Sequence, residues 1–125
     1  MELKQLTRIV ALSFAVASLA PSIAFAHPML EAASPRVGAR VAPAPSEISI
    51  SFSEEVDASL SKISLTSEDG SEVELAKARS GLTLWVLVAK VLHPLGPGRY
   101  RVAWSAVSAD GHSTIGDFVF TVVRQ

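Results

Sequence analysis

Apolar and polar residues alternate along most of the chain after residue 46, and this pattern limits the fold more than any other feature. Residues 47–53 (EISISFS), 61–67 (SKISLTS) and 117–122 (DFVFTV) show the alternation most clearly. Successive side chains of a β-strand point to opposite faces, so alternation is typical of strands with one buried face. Short stretches rich in Gly, Pro and Asp separate these segments. The sequence therefore predicts an all-β domain, either an antiparallel sandwich or a barrel.

Two further segments are predicted to be strands of different kinds. Residues 82–88 (LTLWVLV) are apolar at nearly every position, which favours a strand covered on both faces. Residues 30–33 lie among prolines, which favours an edge strand. Most aromatic side chains fall inside strand patterns and are predicted to be core residues. They are Phe52, Trp85, Trp104, Phe118 and Phe120.

The start of the chain has the three parts of a secretory signal peptide. Lys4 and Arg8 make its first residues positive, residues 9–20 form an apolar run, and an Ala-Phe-Ala ending follows. The run has 12 residues, fewer than the roughly 20 that a membrane-spanning helix needs. We therefore predict that residues 1–26 are cleaved during export and that the mature domain, residues 27–125, is not embedded in a membrane.

Composition excludes several classes of function. The chain has no Cys, which excludes disulfides, thiolate zinc sites, iron–sulfur clusters and cysteine nucleophiles. The formal net charge is −1, so the basic stripe that nucleic-acid binding needs is missing. Ser108, Asp110 and His112 are too close along the chain to form a hydrolase relay, and the sequence has no G-x-S-x-G motif.

Cleavage would make His27 the first residue of the mature chain and so a candidate metal ligand. Its α-amine and ring Nδ1 could then close a chelate ring on one ion. Pro28 has no backbone N–H, so the amide of the second residue is not an alternative donor. In residues 108–112 (SADGH), Asp110 and His112 would point to the same side of an extended chain. Nitrogen and oxygen donors without thiolate suit Cu(II) first, then Ni(II), then Zn(II).

A simpler interpretation of these polar residues remains open. Asp-Gly between two strands is also a hairpin-turn signal, which would make residues 108–112 an ordinary surface turn. His93 precedes a Gly-Pro-Gly turn and is predicted to be an exposed loop residue rather than a ligand. The acidic residues Glu68, Asp69, Glu72 and Glu74 are predicted to form a solvated turn and strand face.

Several motifs together resemble the CopC family of copper-binding periplasmic proteins. They are His-Pro at 27–28, residues 50–54 (ISFSE), residues 98–104 (GRYRVAW) and residues 107–112 (VSADGH), in that order. The resemblance covers essentially the whole mature chain. It implies a small Greek-key β-barrel or sandwich, cupredoxin-like or immunoglobulin-like, in the periplasm. It also implies one Cu(II) per chain.

The resemblance also implies which residues hold the ion. His27 would supply its amine and ring nitrogen, His112 a second imidazole, and Asp110 a carboxylate that completes or supports the site. Glu54 occupies a position that is a further ligand or a supporting group in some members. Met29 is the only methionine after residue 26, so no Met-rich Cu(I) site is expected.

The function implied is that of a Cu(II) carrier, chaperone or buffer in copper homeostasis and resistance, not an enzyme. We expect a monomer whose candidate partner is an inner-membrane CopD-like copper transporter. One departure from the pattern is Ser105, where many relatives have Arg directly after the motif Trp.

Two alternatives stay open at this point. One is a copper monooxygenase-like enzyme that uses an N-terminal histidine brace, although a domain this short shows no flat aromatic platform. The other is a metal-free immunoglobulin-like interaction module.

Overall fold

The computed structural model describes residues 27–125, and the predicted signal peptide, residues 1–26, lies outside the described residues. Residues 27–125 form nine strands and no helix, which confirms the all-β prediction. Accordingly, this part of the chain holds no helix long and apolar enough to cross a membrane.

The strands form two sheets. One has four strands in the order β1-β3-β7-β6, and the other has five in the order β2-β9-β8-β4-β5. Neighbours are antiparallel except β2 and β9, which are parallel. The strands are β1 Leu30–Ser34, β2 Arg40–Val41, β3 Glu47–Phe52, β4 Lys62–Ser67, β5 Glu72–Val73, β6 Arg79–Ser80, β7 Val86–Lys90, β8 Gly98–Val107 and β9 Ser113–Val122.

The core lies between the two sheets and is built by the alternating positions of their strands. Every second residue of β3 is buried, and so are most of the facing positions of β8 and β9. Burying such side chains stabilises the fold by about 1.5–3 kcal/mol each. Tyr100 is buried because its ring stacks on Phe120 while its hydroxyl donates to the carbonyl of Gly96 at 2.7 Å. The largest fully buried side chains include Ile48, Ile50, Leu65, Leu87, Val102 and Phe120.

The prediction for residues 82–88 is wrong in its first half. Strand β7 begins only at Val86, and the preceding residues form the turn from β6, in which Val86 N–H donates to the carbonyl of Thr83 at 3.2 Å. Leu82 and Trp85 are exposed, so Trp85 is not a core residue as predicted. An apolar run does not reveal where its partner strands stop, and here the turn before Val86 is left open to solvent. The predicted edge strand is confirmed as β1, at one edge of the four-stranded sheet.

The long β8–β9 hairpin fixes the position of the turn at its end, which carries Asp110 and His112. Its ten residue pairs run from Gly98 opposite Val122 to Val107 opposite Ser113. Near the far end, the Trp104 ring lies over Gly116 and contacts the Phe52 ring edge-on, with centroids 5.1 Å apart. A Cβ on Gly116 would clash with Trp104 Cζ2, so only glycine fits there. This contact joins the two sheets beside the turn that carries Asp110 and His112.

Candidate metal centre

The turn between β8 and β9 has the geometry expected of an Asp-Gly hairpin. The Ser108 N–H donates to the carbonyl of His112 at 2.8 Å, and the Gly111 N–H donates to the carbonyl of Ser108 at 2.9 Å. Gly111 has a φ of 89°, in the left-handed region that favours glycine. Asp110 and His112 do converge as predicted, but through this turn rather than along an extended strand.

The Asp110 carboxylate is held against His112. Its Oδ1 lies 3.0 Å from His112 Nδ1 and accepts the Ser108 hydroxyl and, at 3.2 Å, the backbone N–H of His112. These hydrogen bonds, above all the one from Ser108, lower the pKa of Asp110 to about 2. The carboxylate is therefore charged at neutral pH. A carboxylate on one ring nitrogen is the usual device that orients a metal-binding imidazole through its other nitrogen.

His27 lies beside His112, although 84 residues separate them in the sequence. Their ring centroids are 5.1 Å apart and the rings are nearly perpendicular, at 83°. With metal–nitrogen bonds of about 2.0 Å, two imidazoles on one ion have centres roughly 4.5–6.5 Å apart. The observed spacing of the His27 and His112 rings fits a shared ion.

Hydrogen bonds from Thr114 in β9 and from Ser53 after β3 anchor Pro28 and Met29, next to His27. We call this pair of contacts the clasp. The Thr114 hydroxyl donates to the carbonyl of Pro28 at 2.6 Å, and Pro28 itself is buried. Met29 N–H donates to the Ser53 hydroxyl at 2.9 Å, and Ser53 N–H donates to the carbonyl of Met29 at 2.8 Å. This clasp is not among the features predicted from the sequence. A signal was present, because the alternation of β9 places Thr114, a polar residue, on its inward face.

Glu54, the fourth predicted residue, follows the last residue of β3 by two positions. Glu54 is half-buried at the end of β3 and makes no ion pair with either histidine among residues 27–125. Within that range, no group of three or more His, Cys, Asp or Glu side chains is arranged to hold a metal ion. The His27 nitrogen is a peptide nitrogen as long as Ala26 precedes it. Among the described residues, the structure thus brings together the His27 and His112 rings and the Asp110 carboxylate beside His112.

The third histidine lies elsewhere, as predicted. His93 is exposed in the loop after β7, and its Nε2 lies 3.2 Å from Glu74 Oε2. Ser105, the departure from the family pattern, lies on the outer face of the five-stranded sheet, paired with Lys62 and Ile115. The side chain of Ser105 therefore points away from the face that carries Trp104.

Comparison with known proteins identifies the family. The CopC domain family matches residues 30–123. This chain belongs to the CopC family. Copper resistance protein C of Xanthomonas campestris pv. juglandis is 38% identical over 112 residues, which are 85% of this chain and 87% of that protein. The copper transport protein CutJ of Bacillus subtilis is 30% identical over 103 residues, which are 82% of this chain but 19% of CutJ.

The CopC fold is confirmed by a solved structure. PcoC, a methionine-rich copper resistance protein from Escherichia coli, superposes with a TM-score of 0.72 at 35% identity, covering 78% of this chain and all of PcoC. The small Greek-key sandwich that the resemblance implied is therefore correct. Unlike that methionine-rich relative, this chain has 2 methionines in all.

Proposed function

We propose that this protein binds one Cu(II) after export and acts in the periplasm as a copper carrier, chaperone or buffer in copper resistance and homeostasis. Its family is one of copper resistance proteins and not of enzymes. The observation that carries the proposal is the contact between the His27 and His112 rings at 5.1 Å. Two imidazoles from opposite ends of the domain sequence meet at one surface point, where a cleaved chain end would add an amine.

The four proposed site residues have different tasks. The amine and Nδ1 of His27 chelate the ion, and the His112 ring supplies a third nitrogen. Asp110 holds that ring and places a negative charge beside the cation. Glu54, half-buried near the Ser53–Met29 clasp, is proposed as a supporting carboxylate rather than a ligand. A nitrogen-rich set with an oxygen donor nearby suits Cu(II).

Binding is coupled to proton release. The α-amine has an ordinary pKa of roughly 8, so it is mostly protonated at neutral pH and must lose that proton to bind. Copper affinity should therefore rise with pH up to about 8. Asp110 does not add to this dependence, because its pKa is already lowered to about 2.

The exposure of the site supports a carrier or buffer. His27 is exposed, and the side chains of His112 and Asp110 are 37% and 38% exposed. An incoming ligand can therefore reach the ion without unfolding the domain.

The deciding experiment changes only the chain end. Mass measurement of the exported protein should show a chain that begins at His27, and titration should show one Cu(II) per chain. A variant with one extra Ala before His27 loses the amine chelate. We expect its affinity to fall more than about 100-fold, above the 10–100-fold typical of losing a supporting group.

The matched control carries the extra Ala after Gln125 and should bind like the unmodified protein. Equal affinity of the two extended variants would overturn the N-terminal chelate. Retention of no copper by the correctly processed protein in equilibrium dialysis would instead support a metal-free module. Substrate-dependent oxygen consumption by the copper-loaded protein would support the enzyme alternative.

We also propose an inner-membrane CopD-like transporter as the partner that receives the copper. The support is that a region similar to this chain makes up 19% of CutJ, a longer copper transport protein. Cellular copper uptake should fall when this gene is deleted, but only in cells that have the transporter. Equal uptake with and without the gene would contradict the pairing.

A further inference from the structure

We propose that the end of the sandwich around His27 is a docking surface for a protein partner that presents apolar groups together with Lys and Arg. We call it the metal-end surface and define it as residues 27–31, 53–60, 81–85 and 108–112. That the partner exchanges copper rests on the proposed function. The docking surface itself rests on exposure and charge alone.

Backbone hydrogen bonds hold the four segments of the metal-end surface together. On one side of the end of β3, Met29 pairs with Ser53, and on the other side Phe52 N–H donates to the carbonyl of Trp85 at 2.9 Å. Val56 N–H donates to the carbonyl of Leu84 at 2.9 Å. Val56 also bridges to Ser108, the first residue of the turn that carries Asp110 and His112. The surface is therefore a continuous part of the molecule.

Exposed apolar side chains are concentrated on this surface. Eight large hydrophobic residues are exposed among the described residues, and five of them belong to the metal-end surface. Clustered exposed apolar groups mark interaction sites, and Met and aromatic residues are enriched at protein interfaces. No core requirement explains Leu82, which is fully exposed at 104%. The five residues are Met29, Leu60, Leu82, Leu84 and Trp85.

Charged residues are also distributed unevenly between the metal-end surface and the rest of residues 27–125. The metal-end surface has five acidic residues and no Lys or Arg, whereas the rest of residues 27–125 has six acidic and nine basic residues. Opposite charges across an interface speed association and select partners. The acidic residues are Glu31, Glu54, Glu55, Asp57 and Asp110.

This charge decides among the occupants. A second copy docked by two-fold symmetry would place the same acidic residues against each other, which is unfavourable. An anionic lipid surface attracts basic segments and repels acidic ones. A protein surface that carries both apolar and basic groups satisfies the exposed Leu and Trp side chains and the carboxylates of the metal-end surface. Its docking would bring its own metal-binding groups over His27 and His112.

Photo-cross-linking in the organism's own cells tests the proposal. A photo-reactive benzoylphenylalanine replaces Leu84 or Met29, and the matched controls carry it at Val37 or Leu92, which are exposed at 59% and 46% outside the surface. We expect Leu84 and Met29 to yield one protein adduct that the control positions do not yield. Mass spectrometry should identify that protein and place the linked peptide beside Lys or Arg residues.

Charge reversal tests the specificity of that adduct. Glu31→Lys with Glu55→Lys should lower its yield about fivefold or more, since each rim pair contributes modestly. The matched control, Glu68→Lys with Glu72→Lys at the opposite end of the sheet, should leave the yield unchanged. Equal yield from control positions, an adduct with lipid, an adduct with a second copy, or a yield insensitive to charge reversal would each overturn the proposal.

Copper titration of the same variants separates this proposal from the proposed function. The reversed variant should still bind one Cu(II) per chain while its adduct is lost. A protein that yields the charge-dependent adduct but binds no Cu(II) would retain the docking surface and remove the copper role.

Discussion

Two five-residue turns at opposite ends of the five-stranded sheet share Ser, Asp and Gly at their first, third and fourth positions. Residues 67–71 (SEDGS) join β4 to β5, and residues 108–112 (SADGH) join β8 to β9. In each, the N–H of the first serine donates to the carbonyl of the fifth residue, at 2.9 and 2.8 Å, and the glycine N–H donates to the carbonyl of the serine at 2.9 Å. The glycines have φ values of 87° and 89°.

The aspartates of the two turns also match. Each accepts the serine hydroxyl and the N–H of the fifth residue, and each has its pKa lowered to about 2, mainly by that hydroxyl. The turns differ in the second residue, Glu68 or Ala109, in the fifth residue, Ser71 or His112, and in what lies beside the fifth residue. His112 meets His27, whereas Ser71 is exposed. The S-x-D-G-x segment therefore forms the same turn in both places. The copper binding that we propose depends on His112 and on its contact with His27, which is distant in the sequence.

The largest effect is expected when the fifth residues of the two turns are made alike. His112→Ser turns the second segment into SADGS and removes an imidazole, so Cu(II) affinity should fall more than about 100-fold, as for the loss of a ligand rather than a supporting group. Ser71→His at the other turn should create no tight site, because His27 lies at the opposite end of the sheet. Competition with a chelator measures both affinities. Tight Cu(II) binding by the His112→Ser variant would remove His112 from the site.

A smaller loss of Cu(II) affinity is expected from replacing the aspartate of the second turn. Comparing the two turns tests whether Asp110 has a role in copper binding that Asp69 does not have. Asp110→Asn keeps the turn but weakens the hold on His112 Nδ1, so Cu(II) affinity should fall about 10–100-fold. Asp69→Asn, the matched change, should leave affinity unchanged. If the two variants bind copper equally well, Asp110 serves the turn alone.

The clasp that brings His27 to the second turn should matter less. Thr114→Val removes the donor to the carbonyl of Pro28, which should lower the free energy of unfolding by about 1 kcal/mol and weaken copper binding less than the loss of Asp110. Thr121→Val, on the opposite face of β9, is the control. Denaturant unfolding measures the change in the free energy of unfolding, and copper titration measures the change in copper affinity. An unchanged affinity would show that the rest of the chain positions His27 without Thr114.

The smallest expected effect is shared by both turns. Asp69 and Asp110 have pKa values of about 2 in the folded protein against an ordinary 3.8. A lowered carboxylate pKa means that the folded state favours the charged form, so this stabilisation is complete above about pH 4 and is lost as pH falls towards 2. The Asp69→Asn, Asp110→Asn double variant should show a shallower drop in melting temperature between about pH 4 and 2. Identical slopes would contradict the role of these hydrogen bonds.

Much of the fold could be predicted because its main signal is local. The alternation in β3, β4 and β9 depends only on neighbouring residues, and each of these strands was expected from its own segment of sequence. The turn at residues 108–112 was one of two interpretations of the sequence, since its Asp-Gly pair is a local turn signal. The prediction of a strand before Val86 was wrong because the length of a strand depends on the partner strands beside it. The sequence of residues 82–88 does not encode where those partner strands end.

The candidate site likewise has features that the sequence determines and features that only the tertiary structure decides. The sequence by itself determined the all-β class, the turn at residues 67–71, the lack of any Cys ligand, and the choice of His27, Asp110, His112 and Glu54 as candidates. Only the tertiary structure decided that His27 lies against His112 and that Thr114 and Ser53 hold the chain there. The physical reason is that residue type and turn geometry are short-range properties. Contact between two residues with 84 others between them depends on how two sheets pack across a common core.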